Sequence, residues 1–189
     1  MTTKRATKPP AEAVPIGREE VVSAVLDSAA QLFAERGPAA TSIRDIAERA
    51  GVNHGLVFRH FGAKDSLVAA VLNHLGAETA ALDANDPLTA NDPRWQRHWQ
   101  VLARCILDGF DVGSLQDRFP IMERLLDQSR HHHPDDRAAA IAVANVAALE
   151  LGWRLFGSFL RGATGLADVP DSELRPRIDR EAVRMLRGQ

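Results

Sequence analysis

Residues 41–61, TSIRDIAERAGVNHGLVFRHF, decide how this chain folds. Ser42 followed three residues later by Asp45 has the form of a capping box, in which each residue's side chain satisfies the other's backbone amide at a helix start. Ile43, Ile46, Ala47 and Ala50 recur at helical spacing, which predicts a helix of little more than two turns with one buried stripe. Gly51 stands where the chain must reverse through a left-handed backbone conformation, Val52 can plug the corner, and Asn53 can cap a third helix running to about Phe61. Two short helices at a glycine corner are the layout of a helix-turn-helix, whose first helix braces on the DNA backbone while the second enters the major groove. Ile46, Ala47, Val52, Val57 and Phe61 would lock the angle and leave the other face of the second helix outward.

Outward from that corner the chain reads as helix throughout. Upstream, Val22, Val25, Leu26, Ala29, Leu32 and Phe33 form one face of a helix starting near Glu19, and Gly37 with Pro38 ends it. Residues 1–17, with Pro9, Pro10 and Pro15 and few large apolar side chains, read as a flexible arm. Its Lys4, Arg5 and Lys8 are expected to be solvated rather than laid in a groove. Downstream, a fourth helix begins near Lys64 and carries Leu67, Val68, Val71, Leu72 and Leu75 inward. A polar connector with Asn85, Asp86 and Pro87 echoed by Asn91, Asp92 and Pro93 suggests a hinge. Beyond it Trp95, Trp99, Leu102 and Ile106 repeat at helix spacing, and Pro120 suits the first residue of a helix carrying Ile121, Met122, Leu125 and Leu126. A long alanine-rich segment over residues 137–161 and a final helix with Ile178, Ala182, Met185 and Leu186 complete the pattern. No stretch alternates as a strand. The expected fold is all-α, with eight to ten helices arranged as an N-terminal helix-turn-helix bundle (residues 18–78) and a C-terminal helical body (residues 79–189).

Composition narrows the function. With 189 residues, 45% hydrophobic and 25% charged, the chain is long enough for a sizeable core and is neither disordered nor fibrous as a whole. A net charge of −2 argues against indiscriminate coating of nucleic acid, but residues 41–64 hold four cations (Arg44, Arg49, Arg59, Lys64) against two anions (Asp45, Glu48). The charge-free run at residues 138–149 is shorter than a membrane span of roughly 18 residues, and no apolar segment follows the N-terminal lysines as in a secretory signal. A cytoplasmic protein with no membrane partner is expected. Cys105 is the single cysteine, which excludes an internal disulfide and a cysteine-based zinc module. His131, His132 and His133 lie side by side before Pro134, Asp135 and Asp136, and neighbours on a chain do not converge on one ion, so a polar loop without metal is expected. No glycine-flanked nucleophile and no phosphate-binding loop is present, hence no catalytic constellation and no cofactor.

Residues 19–72 resemble the DNA-binding domain of the TetR family of bacterial transcriptional regulators. The stretches that carry the likeness are residues 30–37 (AQLFAERG), 41–47 (TSIRDIA), 51–55 (GVNHG) and 60–67 (HFGAKDSL), in the family's order. From about residue 80 onward no motif is shared beyond helical character. The resemblance implies that Thr41, Ser42 and Arg44 start the bracing helix near phosphates, that Asn53 caps the recognition helix, and that His54, Gly55, Leu56 and Arg59 lie along the groove. It places His60 near the backbone and Lys64 on a phosphate at the start of the fourth helix. Three positions depart from the pattern. Phe58 stands where tyrosine is usual, so its contact with DNA is van der Waals only. Leu56 replaces a small hydroxyl residue and favours an apolar contact such as a thymine methyl. Ala63 replaces the customary serine cap, a loss of about 1 kcal/mol.

The C-terminal body is rich in large apolar side chains, and Trp95, Trp99, Met122, Trp153 and Phe156 are candidates to line a small-molecule cavity, with Arg118, Glu123 and Arg154 as polar partners. Small residues along 137–161, together with the last helix, suit a four-helix contact across a two-fold axis. The resemblance likewise implies a homodimer released from a palindromic operator, a repressor whose effector shifts the spacing of two reading heads. The residues alone leave a second reading, a helical small-molecule carrier or enzyme whose first four helices are scaffold, and a third, a dimerisation adaptor.

Overall fold

A computed structural model of the chain describes residues 17–82, 92–116 and 118–189. The N-terminal arm and most of the 83–93 connector lie outside them. Among the described residues there are nine helices and no strand: α1 (Arg18–Arg36), α2 (Ile43–Arg49), α3 (His54–Phe61), α4 (Lys64–Ala80), α5 (Pro93–Leu107), α6 (Val112–Leu115), α7 (Pro120–Arg130), α8 (Asp136–Thr164) and α9 (Asp171–Leu186).

The first four helices close on one core. Val25, Ala29 and Phe33 of α1, Ile46 of α2, Val57 of α3 and Leu67, Val68, Val71, Leu72 and Leu75 of α4 are almost wholly withdrawn from solvent. The buried face of α1 is turned slightly from the expected one. Val21 and Ser28 are buried while Val22 and Leu26 are only half-buried, because α1 packs on α5 as well as on α2 and α4. Val101 and Cys105 of α5 and Val112 of α6 belong to this same core, so it continues into the first helices of the body.

That placement explains a second departure. The expected stripe of α5 was Trp95, Trp99, Leu102 and Ile106, yet Ile106 is exposed, and the helix buries His98, Trp99, Val101, Ala103 and Cys105 instead. A helix sandwiched between α1 and α4 on one side and α8 on the other buries two faces, and a single amphipathic stripe does not describe it. Asp92 caps α5 by accepting from the Arg94 amide, with Pro93 in the first turn. The one-turn α6 has no sequence signature.

The remaining helices form the far layer, with α8 packed on α5, α7 and α9. By length and composition α8 is long and apolar enough to cross a membrane, which its charge-free run alone does not suggest. Here Ala139, Ala142, Val143 and Val146 pack inward, while Ile141, Phe156 and Phe159 of α8 and Val183 of α9 are exposed.

Candidate nucleic-acid interface

The corner at residues 41–61 is built as its residue types require. Ser42, in extended conformation, accepts from the Asp45 amide at 3.1 Å, and the Asp45 carboxylate accepts from the Ser42 amide at 2.9 Å. At the other end of α2, Val52 N–H donates to the Ala47 carbonyl and Gly51 N–H to the Glu48 carbonyl. This double closure needs a left-handed residue between helix and exit, and Gly51 supplies it at φ +66°. Asn53 accepts from the Gly55 amide at 2.8 Å and starts α3. α3 is held from below by fully buried Val57, with Leu56 and Phe61 leaning on the core. Its outer face shows Asn53, His54, Gly55, Phe58 and Arg59 to solvent, with His60 half-buried beside them. Phe58 is 61% exposed, an unusual position for an aromatic ring.

The charges around this face are sorted by pairing. Arg49 grips Glu35 through two hydrogen bonds, at 2.6 and 3.1 Å, and Arg36 holds Asp45 at 2.8 Å. The Arg49 hydrogen bond holds the Glu35 carboxyl below the usual carboxylate range. The Ser42 amide does the same for Asp45, with the Ser42 hydroxyl and Arg36 adding to it. Arg44, Arg59 and Lys64 make no ion pair among the described residues. Two carboxylates next to the face are thus neutralised from within, while three cations are left for an external anion. Lys64 is half-buried, its ammonium 3.5 Å from the Ala39 carbonyl.

One expected contact residue is placed elsewhere. Thr41 is 1% exposed, and its hydroxyl donates to the Gly37 carbonyl at 2.7 Å. It fastens the loop between α1 and α2 and presents nothing to a phosphate. Leu56 is half-buried against the core, so only part of its side chain is offered to a groove. A residue the motif does not reveal is Asp108 at the end of α5, whose carboxylate accepts from the Ala39 amide at 2.7 Å. It lies so close to Gly37 that a Cβ there would sit 2.6 Å from its oxygen, and Gly37 also has φ +81°. The backbone conformation favours glycine there, and any side chain would also displace the Asp108 carboxylate from its contact.

The cavity candidates are divided by the fold. Trp95, Trp99 and Met122 line a cavity of about 360 Å³ among α5, α7, α8 and α9, whose polar lining includes Glu150, Arg154, Arg175 and Asp179. Arg175 bridges Glu150 at 2.6 Å and Asp179 at 2.8 Å. Trp153 lies instead on a separate groove between α8 and α9, and Phe156, 53% exposed, on a third between α8 and the outer face of α5. Arg118 and Glu123 pair with each other at the surface. His131 and His132 are exposed and His133 bonds the Leu186 carbonyl, so the three do not converge on one point. His98, beside Trp99, is buried with Nδ1 2.9 Å from the Thr79 hydroxyl, and burial pushes its pKa down to about 4. The Thr79 hydroxyl also lies 2.8 Å from the Leu75 carbonyl and 3.2 Å from that of Gly76.

Residues 25–71 match the family model described as bacterial regulatory proteins, tetR family. The HTH-type transcriptional repressor Rv3405c of Mycobacterium tuberculosis (strain H37Rv) is 52% identical over 187 residues, covering 98% of both chains. The HTH-type transcriptional repressor KstR2 of Rhodococcus jostii is 46% identical over 66 residues, which is 35% of this chain and 32% of that protein. Among solved structures, native NalD of Pseudomonas aeruginosa is similar, at 24% identity and a TM-score of 0.47 over 89% of this chain and 96% of that one. With its helix-turn-helix built as described and a full-length relative at this identity, the chain belongs to the tetR family of bacterial regulatory proteins and is a helix-turn-helix transcriptional regulator.

Proposed function

We propose that this regulator is a cytoplasmic homodimeric repressor that holds a near-palindromic operator and releases it when a small molecule enters its C-terminal body. The carrier, enzyme and adaptor readings lapse with the family assignment. The observation that carries the proposal is the outward face of α3, flanked by Arg44, Arg59 and Lys64 with no carboxylate partners among the described residues. A full-length relative that is itself named a repressor supports the direction of control.

In this reading residues 18–78 are the reading head, residues 79–189 the body, and α4 the helix that joins them. The Ser42 hydroxyl, which accepts from the Asp45 amide, stands at the start of α2 near a phosphate. Arg44 and Lys64 take phosphates, and His60 lies near the backbone. His54, Gly55, Arg59 and the exposed part of Leu56 meet base edges, where Arg59 suits the paired acceptors of guanine. Phe58 contributes apolar contact, and Asn53 holds the helix start.

Two heads reach successive major grooves when a two-fold axis sets them about 34 Å apart. The exposed Ile141, Phe156, Phe159 and Val183 supply the apolar surface for that dimer. The effector site is the cavity of Trp95, Trp99 and Met122, whose volume falls in the usual range for small ligands. Its ligand is amphipathic, with an apolar part against the indoles and a polar group against Glu150, Arg154, Arg175 and Asp179. Release requires only that the ligand bind the arrangement unable to hold DNA more tightly than the other.

Selection of bound DNA from a random pool at fixed ionic strength tests the reading. An inverted repeat with half-sites one helical turn apart is expected, and recovery of no enriched palindrome overturns it.

A further inference from the structure

We propose that Asp27, His74 and Glu78 form a binding site for a divalent first-row transition metal of the zinc class, clasping α1 to α4. The proposal stands apart from the DNA reading. His74 and Glu78 lie one turn apart on α4, and Asp27 faces them from α1. His74 Nε2 is 3.7 Å from Asp27 Oδ1 and 3.5 Å from Glu78 Oε1, and the three ligand atoms all lie within 4.8 Å of one another. A tetrahedral zinc ion with ligands at about 2.0–2.2 Å spaces neighbouring donor atoms roughly 3.3 Å apart, so a small closure of these side chains completes the geometry. One imidazole with two carboxylates is a donor set for transition metals, whereas calcium and magnesium take oxygen ligands.

The surroundings orient the three groups as an outer shell does. Arg97 donates to Glu78 Oε2 at 2.7 Å, and the Ser23 hydroxyl donates to Asp27 Oδ2 at 3.5 Å. Each carboxylate is therefore held by one oxygen and turns the other to His74. The His74 Nε2 atom itself is buried and has no hydrogen-bond partner. An opening of about 440 Å³, lined by Arg18, Glu19, Val22, Ser23, Leu26 and His74, gives an ion a path to the imidazole ring. The site was invisible to sequence reading because Asp27 and His74 lie on different helices, far apart along the chain.

The test is cobalt(II) titration of the full-length protein stripped with chelator, followed by visible absorption, with zinc displacing the cobalt. One equivalent and a four-coordinate spectrum are expected. His74→Gln should weaken binding at least 100-fold and Asp27→Asn at least 10-fold, while the double variant His131→Ala/His132→Ala keeps the signal. Zinc should raise the Tm of the wild type and leave that of His74→Gln unchanged. Absence of stoichiometric binding, its persistence in His74→Gln, or its loss in the His131→Ala/His132→Ala variant overturns the proposal. If His74→Gln does not fold, the half-exposed Asp27→Asn decides alone, and unchanged affinity in it is equally fatal.

Discussion

Lys64, at the start of α4, and Thr41, in the loop between α1 and α2, do opposite work. An ammonium on a phosphate acts as a mobile point charge, so Lys64→Ala should weaken binding to every DNA sequence alike and lower the slope of log affinity against log salt by about one unit. Fluorescence anisotropy over a salt series reads this directly. Thr41→Val keeps the shape but leaves the Gly37 carbonyl without its buried donor, a destabilisation of about 1–3 kcal/mol in urea unfolding with the salt slope unaltered. His98 links stability to pH. Its imidazole titrates near 6.5 when unfolded and is pushed down to about 4 when buried, so between these values the unfolded chain binds a proton that the folded chain does not. The contribution is complete above 6.5, falls as pH drops through that window, and levels off below about 4. By pH 5 it amounts to a loss of up to about 2 kcal/mol. His98→Gln should flatten this part of the urea-midpoint profile, and an unchanged profile would remove His98 as its source.

At the scale of the helices, the caps decide how rigidly α3 is presented. Ser42 and Asn53 cap α2 and α3 through side-chain oxygens, whereas α4 starts at Ala63 in a suitable extended conformation with no side-chain cap. Ala63→Ser should therefore add about 1 kcal/mol of stability, measured by thermal or urea unfolding, with no change in operator sequence. Gly55 lies close under the cap before it. A Cβ there would lie 3.2 Å from Asn53 Oδ1, so Gly55→Ala requires the Asn53 side chain to shift by a few tenths of an ångström. These elements were legible in the sequence because their signals are local: a capping box, a glycine corner and an asparagine cap act within four residues. The double burial of α5 and the single turn of α6 were not legible, since both depend on what packs against them.

For the whole molecule, the proposed dimer rests on the far layer. Phe159, 69% exposed on α8, lies with Ile141 and Phe156 on a helix whose other side is packed. Phe159→Glu should shift the protein from dimer to monomer in sedimentation velocity and weaken operator binding, while leaving the head folded. A wild type that sediments as a monomer at micromolar concentration would defeat the two-fold arrangement. Asp108 ties head to body through the Ala39 amide, so Asp108→Ala should loosen the α1–α2 loop, detectable as faster amide exchange there.

The helical class, the corner at residues 41–61, and the family to which it belongs follow from the chain's order of residues, because each rests on contacts between near neighbours. Which candidates meet is a different matter. Thr41 turned inward, Trp153 and Phe156 parted from Trp95, Trp99 and Met122, Arg36 and Arg49 closed on acidic partners, and Asp27 brought to His74 and Glu78. These outcomes depend on the rotation of each helix about its axis and on the neighbour it meets, and packing between distant segments sets both.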